Sequence, residues 1–142
     1  MNYLQQLEKV LETRFKLATM ETYDTDRIVD LFAQMNRFSN KAIYIYQPGE
    51  GMHRLGAAHI ALPRTRTPLE VLEHIDTTPH YGVYILRDFN DSLEDRKVID
   101  MLKQIGAGNK RLLVILLSEY LDLPMELKPY TLRSKHRIKQ AS

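Results

Sequence analysis

The sequence feature that most constrains the fold is an uninterrupted run of six apolar residues, 112–117, with the sequence Leu-Leu-Val-Ile-Leu-Leu. A strand with one face in water alternates apolar and polar residues, whereas a run without alternation is typical of a strand covered on both faces. The segment 81–86 is a second, nearly unbroken apolar strand. The sequence therefore predicts a sheet with helices on both sides and the run 112–117 at its centre.

Helical and strand patterns alternate along the chain. The strongest helix start is Thr67-Pro68-Leu69-Glu70, which combines a capping box with proline at the first helical position. The segment 47–66 shows no sustained period and is interpreted as an irregular connection of about twenty residues, a length that is unusual in a compact domain. Strands are predicted over 15–22, 42–46, 81–86, 112–117 and 130–132. Helices are predicted over 2–13, from a cap at Thr22 or Asp24 to about Phe38, over 67–76, from Asp91 or Ser92 to Gly106 or Gly108, and briefly from Pro124. This order predicts an α/β fold with a single, mostly parallel, five-stranded sheet.

Composition excludes several classes of protein. The chain has 142 residues and no cysteine, so disulfides, thiolate zinc sites and cysteine nucleophiles are ruled out. The five histidines have no metal-ligand spacing, and we expect no metal. No apolar run approaches the roughly 18 residues of a membrane helix, and the first residues lack the pattern of a signal peptide. We therefore expect a cytoplasmic protein without a membrane span.

Charge divides the chain into two parts. Residues 1–127 contain 15 Lys and Arg against 18 Asp and Glu, while no acid follows Glu126. We therefore divide the chain into a domain over 1–132 and a flexible basic tail over 133–142. The tail residues able to bind an anion are Arg133, Lys135, Arg137 and Lys139. Nucleic-acid binding through this tail is one functional hypothesis, although a solvated terminus has the same composition.

Candidate chemistry lies where the strands end, because ligands of parallel α/β sheets bind outside the carboxyl ends of the strands. Asp88 follows an apolar strand, as the Mg²⁺-binding Asp of nucleotide hydrolases does, and Ser118 follows the central strand. The phosphate-binding pattern G-x-x-x-x-G-K-[ST] is absent. Gly51 and Gly56 have its glycine spacing, but alanines occupy the Lys and Ser/Thr positions.

The strings that carry a family resemblance are 14–22 (RFKLATMET), 67–75 (TPLEVLEHI), 84–89 (YILRDF), 114–118 (VILLS) and 123–127 (LPMEL). On these strings the chain resembles the N-terminal, degenerate ATPase-like region of AAA-type ATPases found in cyanobacteria, chloroplast genomes and other bacteria. The resemblance spans about residues 4–132. It implies a P-loop-type sheet in which the five strands, numbered along the chain, have the order 5-1-4-3-2.

The resemblance also implies where the family's catalytic parts would lie. The phosphate loop would follow the first strand, but Glu21, Asp24 and Asp26 stand there without glycine or lysine. Asp88 would correspond to the metal-binding acid, with Phe89 in place of the Glu that activates water, and Ser118 to a polar sensor. The vestigial site is therefore predicted at Asp88, Ser118, Glu21 and Asp24.

Three functional hypotheses follow. The first is a non-catalytic interaction or regulatory module, not an enzyme and without a cofactor, whose partner is a related AAA-type ATPase or a second copy. The second is a protein that binds or hydrolyses ATP with Mg²⁺, using Asp88 and an alternative loop site at Gly49, Gly51, His53 and Arg54. The third is the nucleic-acid binder described above. Like charge at the phosphate position favours the first hypothesis.

Overall fold

The computed structural model describes residues 3–37, 41–57 and 60–135. The α-helices are α1 (Tyr3–Leu11), α2 (Thr25–Arg37), α3 (Pro68–Thr77) and α4 (Arg96–Ala107), and the 3-10 helices are η1 (Asn90–Glu94) and η2 (Met125–Tyr130). The strands are β1 (Leu17–Glu21), β2 (Ile43–Gln47), β3 (Gly51–Arg54), β4 (Gly82–Arg87), β5 (Leu112–Ser118) and β6 (Thr131–Lys135). The predicted end of the second helix at Phe38 lies outside the described residues.

The strands form one sheet in the order β3-β2-β4-β5-β1-β6. All neighbours are parallel except β2 and β3, which form an antiparallel hairpin. The α/β class, the central place of residues 112–117 and the implied order of the five predicted strands are confirmed. The predicted number of strands is wrong, because β3 adds a sixth strand at the edge.

The interpretation of residues 47–66 as an irregular connection is wrong for residues 47–54, where the chain turns and forms β3. Pro48 and Gly49 form a tight turn in which the Glu50 amide donates to the Gln47 carbonyl at 3.1 Å, and Gly49 has φ +84°. Proline followed by a glycine with positive φ is the pattern of a type II turn. The turn reverses the chain and pairs β3 with β2. Only four residues form β3, too few for a periodic pattern in the sequence.

Each face of the sheet carries its own apolar core. Helices α3, α4, η1 and η2 cover one face, and α1 and α2 cover the other. Alternate residues of β5 serve the two cores: Leu112, Val114 and Leu116 face the first, and Leu113, Ile115 and Leu117 face the second. This arrangement explains why the run 112–117 has no polar residue.

Helix starts follow local hydrogen bonds. In α3, the Glu70 amide donates to Thr67 Oγ1 and the Thr67 amide donates to Glu70 Oε1, so the predicted capping box is confirmed. The predicted start of the fourth helix at Asp91 or Ser92 is wrong. Residues 90–94 form η1, which buries Leu93, and the helix begins after Asp95, whose Oδ1 accepts from the Lys97 amide at 2.9 Å.

Candidate functional site

The carboxyl ends of β1, β5 and β4 meet at one edge of the sheet. Glu21 lies opposite Ser118 in the register of β1 and β5. The Thr22 amide donates to the Ser118 carbonyl, and the Asp88 amide donates to the Leu117 carbonyl, each at 3.1 Å. The sheet therefore brings the predicted residues Glu21, Ser118 and Asp88 to one edge. Ser118 is buried there, whereas Asp88 is exposed.

The connection from β1 to α2 is only three residues long, 22–24. Asp24 caps α2, since its Oδ1 accepts from the Arg27 amide at 3.1 Å. The Asp24 amide in turn donates to Thr22 Oγ1 at 3.3 Å. The start of this helix, which in a phosphate site would point free amides at an anion, is occupied by a carboxylate from the chain itself.

Arg87, the last residue of β4, reaches the same helix start. Its Nη2 donates to Thr25 Oγ1 and to Asp26 Oδ1, both at 2.7 Å. With the Gln47 amide oriented to satisfy its neighbours, Gln47 Oε1 accepts from Arg87 Nη1 at 3.0 Å and Nε2 donates to Glu50 at 3.1 Å. The guanidinium thereby links the start of α2 to the end of β2.

Asp88 directly follows this arginine and has φ +53°, in the left-handed region that non-glycine residues rarely adopt. The next residue, Phe89, turns into the core, where its ring meets Tyr46 edge to face with 5.9 Å between ring centroids. At the position where the resembling hydrolases carry the water-activating Glu, this chain therefore has a buried apolar ring.

The alternative loop site is split along the hairpin. Gly49 and Gly51 lie at the carboxyl end of β2, because Gly51 pairs with Gln47. A Cβ on Gly51 would stand 3.3 Å from the Thr65 carbonyl oxygen, so a close backbone approach requires this glycine. His53 and Arg54 continue along β3 toward the opposite edge, and three residues of strand span about 10 Å. The structure does not gather these four residues in one site.

The structure describes two of the four basic residues predicted to bind an anion. Strand β6 includes Arg133 and Lys135, which lie opposite Thr19 and Glu21 of β1. Arg133 and Lys128 line a cleft of about 490 Å³ together with Glu21 and Asp122, so both signs of charge line this cleft. Arg137 and Lys139 lie outside the described residues.

A family model, the SpoVK-like AAA ATPase N-terminal domain, matches residues 3–135. The chain belongs to this family. The match takes in every helix and strand described above, from α1 to β6. The predicted relation to AAA-type ATPases is thereby confirmed. A search among curated proteins finds no match to the chain.

Within this member of the SpoVK-like family, the described residues hold no group of three or more His, Asp or Glu side chains able to bind a metal ion. No helix among residues 3–37, 41–57 and 60–135 has the length and apolar character needed to span a membrane.

Sequence reasoning missed the part played by Arg87, Thr25 and Gln47. The pairing of Arg87 with Asp26 joins residues 61 positions apart, and no local pattern reveals such a contact. A usable signal was nevertheless present. Arg87 ends an apolar strand, and the acids of the β1–α2 connection were expected at the same edge of a parallel sheet, where a partly buried arginine needs an anionic partner.

Proposed function

We propose that this chain is a non-catalytic ATPase-like module that has lost its phosphate-binding loop and acts by interaction with protein. The observation that carries the proposal is the three-residue β1–α2 connection, closed by Asp24 and filled by the Arg87–Asp26 pair. The strings 14–22, 67–75 and 84–89 support a place in the branch of the family found in cyanobacteria and chloroplast genomes.

A phosphate cradle needs free backbone amides and a free cation. At the start of α2, one of these amides and the neighbouring cation are already engaged. The Arg27 amide already donates to Asp24, and the Arg87 guanidinium already donates to Thr25 and Asp26. A triphosphate bound here would have to displace Asp26 from Arg87 and face the carboxylate of Asp24 at close range. Like charges at such distances cost binding free energy, so this geometry disfavours nucleotide.

Hydrolysis would also lack a base at the expected position. Phe89 is buried against Tyr46 and has no titratable group. Asp88 alone remains of the expected acid pair. An α/β domain without catalytic groups at this edge can still present a surface to another protein. The proposed partner is a related AAA-type ATPase or a second copy of the chain.

The test is thermal unfolding of the purified chain with and without millimolar ATP, ADP and Mg²⁺. A ligand at 100 times its dissociation constant adds about 2.7 kcal/mol to the free energy of unfolding, which raises the melting temperature of a domain of this size by several degrees. We expect no nucleotide-specific rise. The matched control is Asp88→Asn, which removes the charge of an exposed side chain and keeps its shape.

A nucleotide-specific rise in the original chain would overturn the proposal, and we would then ask whether Asp88→Asn abolishes that rise. Its loss in Asp88→Asn would favour the second hypothesis, in which Asp88 holds Mg²⁺ for a bound nucleotide. Isothermal titration calorimetry with ATP, ADP and Mg²⁺ would then measure the affinity directly.

A further inference from the structure

Large apolar side chains are exposed to solvent at the carboxyl edge of the sheet. Of five such exposed residues among those that the structure describes, three follow the ends of β1 and β5: Tyr23, Tyr120 and Met125. Tyr23 is 79% exposed and Tyr120 is 65% exposed. Because Glu21 pairs with Ser118, each tyrosine lies two residues beyond the same register position on neighbouring strands. We call the two loops 22–24 and 119–124 the tyrosine edge.

The backbone of the tyrosine edge is held in place although its aromatic rings are exposed. Asn90 Nδ2 donates to the Tyr120 carbonyl, and Asn90 Oδ1 accepts from the Asp122 amide at 3.2 Å. Leu121, between them, is buried in the core. The other loop is fixed by the bonds of Thr22 and Asp24 already described. A preordered loop loses little conformational entropy on binding, which is how binding surfaces gain affinity.

Acids outnumber bases around the tyrosine edge. Two acids lie among residues 22–26, four among 88–95 and three among 119–126, and none of these segments contains Lys or Arg. Of the nearby bases, Arg87 contacts Asp26, and Arg96 contacts Asp100 and Glu126. Lys128 and Arg133 line the cleft that Asp122 also lines, and the nine acids of the three segments outnumber these four bases. Glu119 and Asp122, on either side of Tyr120 and Leu121, are exposed.

We propose that the tyrosine edge binds a protein segment that carries arginine or lysine. The inference rests on the proposed function, because a bound nucleotide would occupy part of the same edge. Charge complementarity selects this occupant, because the excess of acids repels nucleic acid and anionic lipid and attracts a cationic chain. The exposed rings add a second contribution, since a guanidinium over a tyrosine face is attracted by the ring electrons. Tyrosine is also enriched at protein interfaces.

The test measures fluorescence anisotropy of a fluorescein-labelled heptapeptide of alternating arginine and glycine at low salt. We expect saturable binding that weakens as salt screens the charges. The variant Tyr23→Ala/Tyr120→Ala should bind about tenfold more weakly, the effect expected for two cation–π contacts. The variant Glu119→Lys/Asp122→Lys should abolish binding. Circular dichroism checks that each variant is folded.

Two matched controls separate specific from general attraction. Phe15→Ala removes another exposed aromatic ring, 42% exposed, that precedes β1 at the opposite edge, and should leave binding unchanged. A peptide of alternating glutamate and glycine should not bind. Equal binding by the original chain and Tyr23→Ala/Tyr120→Ala, or no binding of the arginine peptide up to about 1 mM, would overturn the inference.

The two proposals fail separately. A nucleotide-specific rise in melting temperature contradicts the proposed function whatever the peptide does. Equal peptide binding by the original chain and Tyr23→Ala/Tyr120→Ala contradicts this inference even where nucleotide has no effect. Concentration-dependent sedimentation that Tyr23→Ala/Tyr120→Ala abolishes would identify a second copy as the occupant and would also overturn the inference of a separate basic partner.

Discussion

Arg87 places a positive charge at the start of α2, where the helix dipole favours negative charge. The contacts of the guanidinium offset this cost, because Nη2 donates to both Thr25 and Asp26 at 2.7 Å. The arginine side chain is only 14% exposed, whereas that of Asp26 is 82% exposed. Loss of the pair would therefore leave the charge of Arg87 mostly shielded from water without its ionic partner, whereas Asp26 would stay solvated.

We predict that Arg87→Met lowers the free energy of unfolding by about 1–2 kcal/mol, since the apolar stem remains while charge-assisted hydrogen bonds are lost. Asp26→Asn, the matched control, should cost less, about 0–1 kcal/mol, because Asp26 is exposed. Urea denaturation of both variants measures the difference. An Arg87→Met variant as stable as the original chain would show that the pair contributes nothing to the fold.

The buried Tyr84 makes the stability of the protein depend on pH. Burial raises the pKa of the Tyr84 hydroxyl above its ordinary value near 10; the hydrogen bond with Thr78 opposes this shift and nearby Tyr44 adds to it. Burial also raises the pKa values of Tyr46 and Tyr81. Above pH 10 the unfolded chain releases these protons more readily than the folded chain does. Stability is thus full below pH 10 and falls as the pH rises further.

Tyr84→Phe should make this alkaline loss less steep, because one of the contributing protons is removed. Urea midpoints recorded from pH 8 to pH 11 measure the slope. Identical slopes for Tyr84→Phe and the original chain would refute the assignment.

Gly106 lies inside α4, where glycine is normally less favourable than alanine by about 1 kcal/mol. Packing reverses that preference here. A Cβ on Gly106 would stand 2.9 Å from the Tyr130 Cβ and 3.0 Å from Leu17 Cδ1. We predict that Gly106→Ala destabilises the fold by about 1–3 kcal/mol through overpacking, measured by urea denaturation. Ala107→Gly, one residue on and exposed, is the control and should cost under about 1 kcal/mol. A more stable Gly106→Ala variant would mean that helix α4 shifts freely.

Elements that depend on hydrogen bonds between neighbouring residues could be predicted from the sequence. Elements that depend on contacts between distant residues could not. The start of α3 depends on hydrogen bonds between Thr67 and Glu70, so four residues of sequence sufficed. Strand β3 depends on pairing with β2 and on the bond from the Met52 amide to Thr65 Oγ1, 13 positions away. The same division holds at the site. Parallel strand ends placed Asp88 and Ser118 together, but the partners of Arg87 required the folded chain.

At the scale of the whole molecule, β5 joins the two cores. It lies between β4 and β1, and all seven of its residues are buried. Its alternate side chains belong to opposite cores, so its separation from the sheet would expose both at once. Strand β3 has a different position, at the edge of the sheet and with β2 as its neighbour in the strand order. Opening β3 therefore exposes far less apolar surface than opening β5.

We predict that the amides of β5 exchange with solvent only through global unfolding, while those of β3 exchange through local opening at a lower free energy. Hydrogen exchange measured by NMR at several low urea concentrations distinguishes the two routes, because only global opening has the full denaturant dependence of unfolding. The Arg87→Met variant supplies the control. It lowers the global free energy, so β5 amides should exchange faster by the factor that this loss implies, and β3 amides should change less. Exchange from β5 that is insensitive to urea would contradict the prediction, because it would show that these amides exchange through local fluctuations that expose neither core.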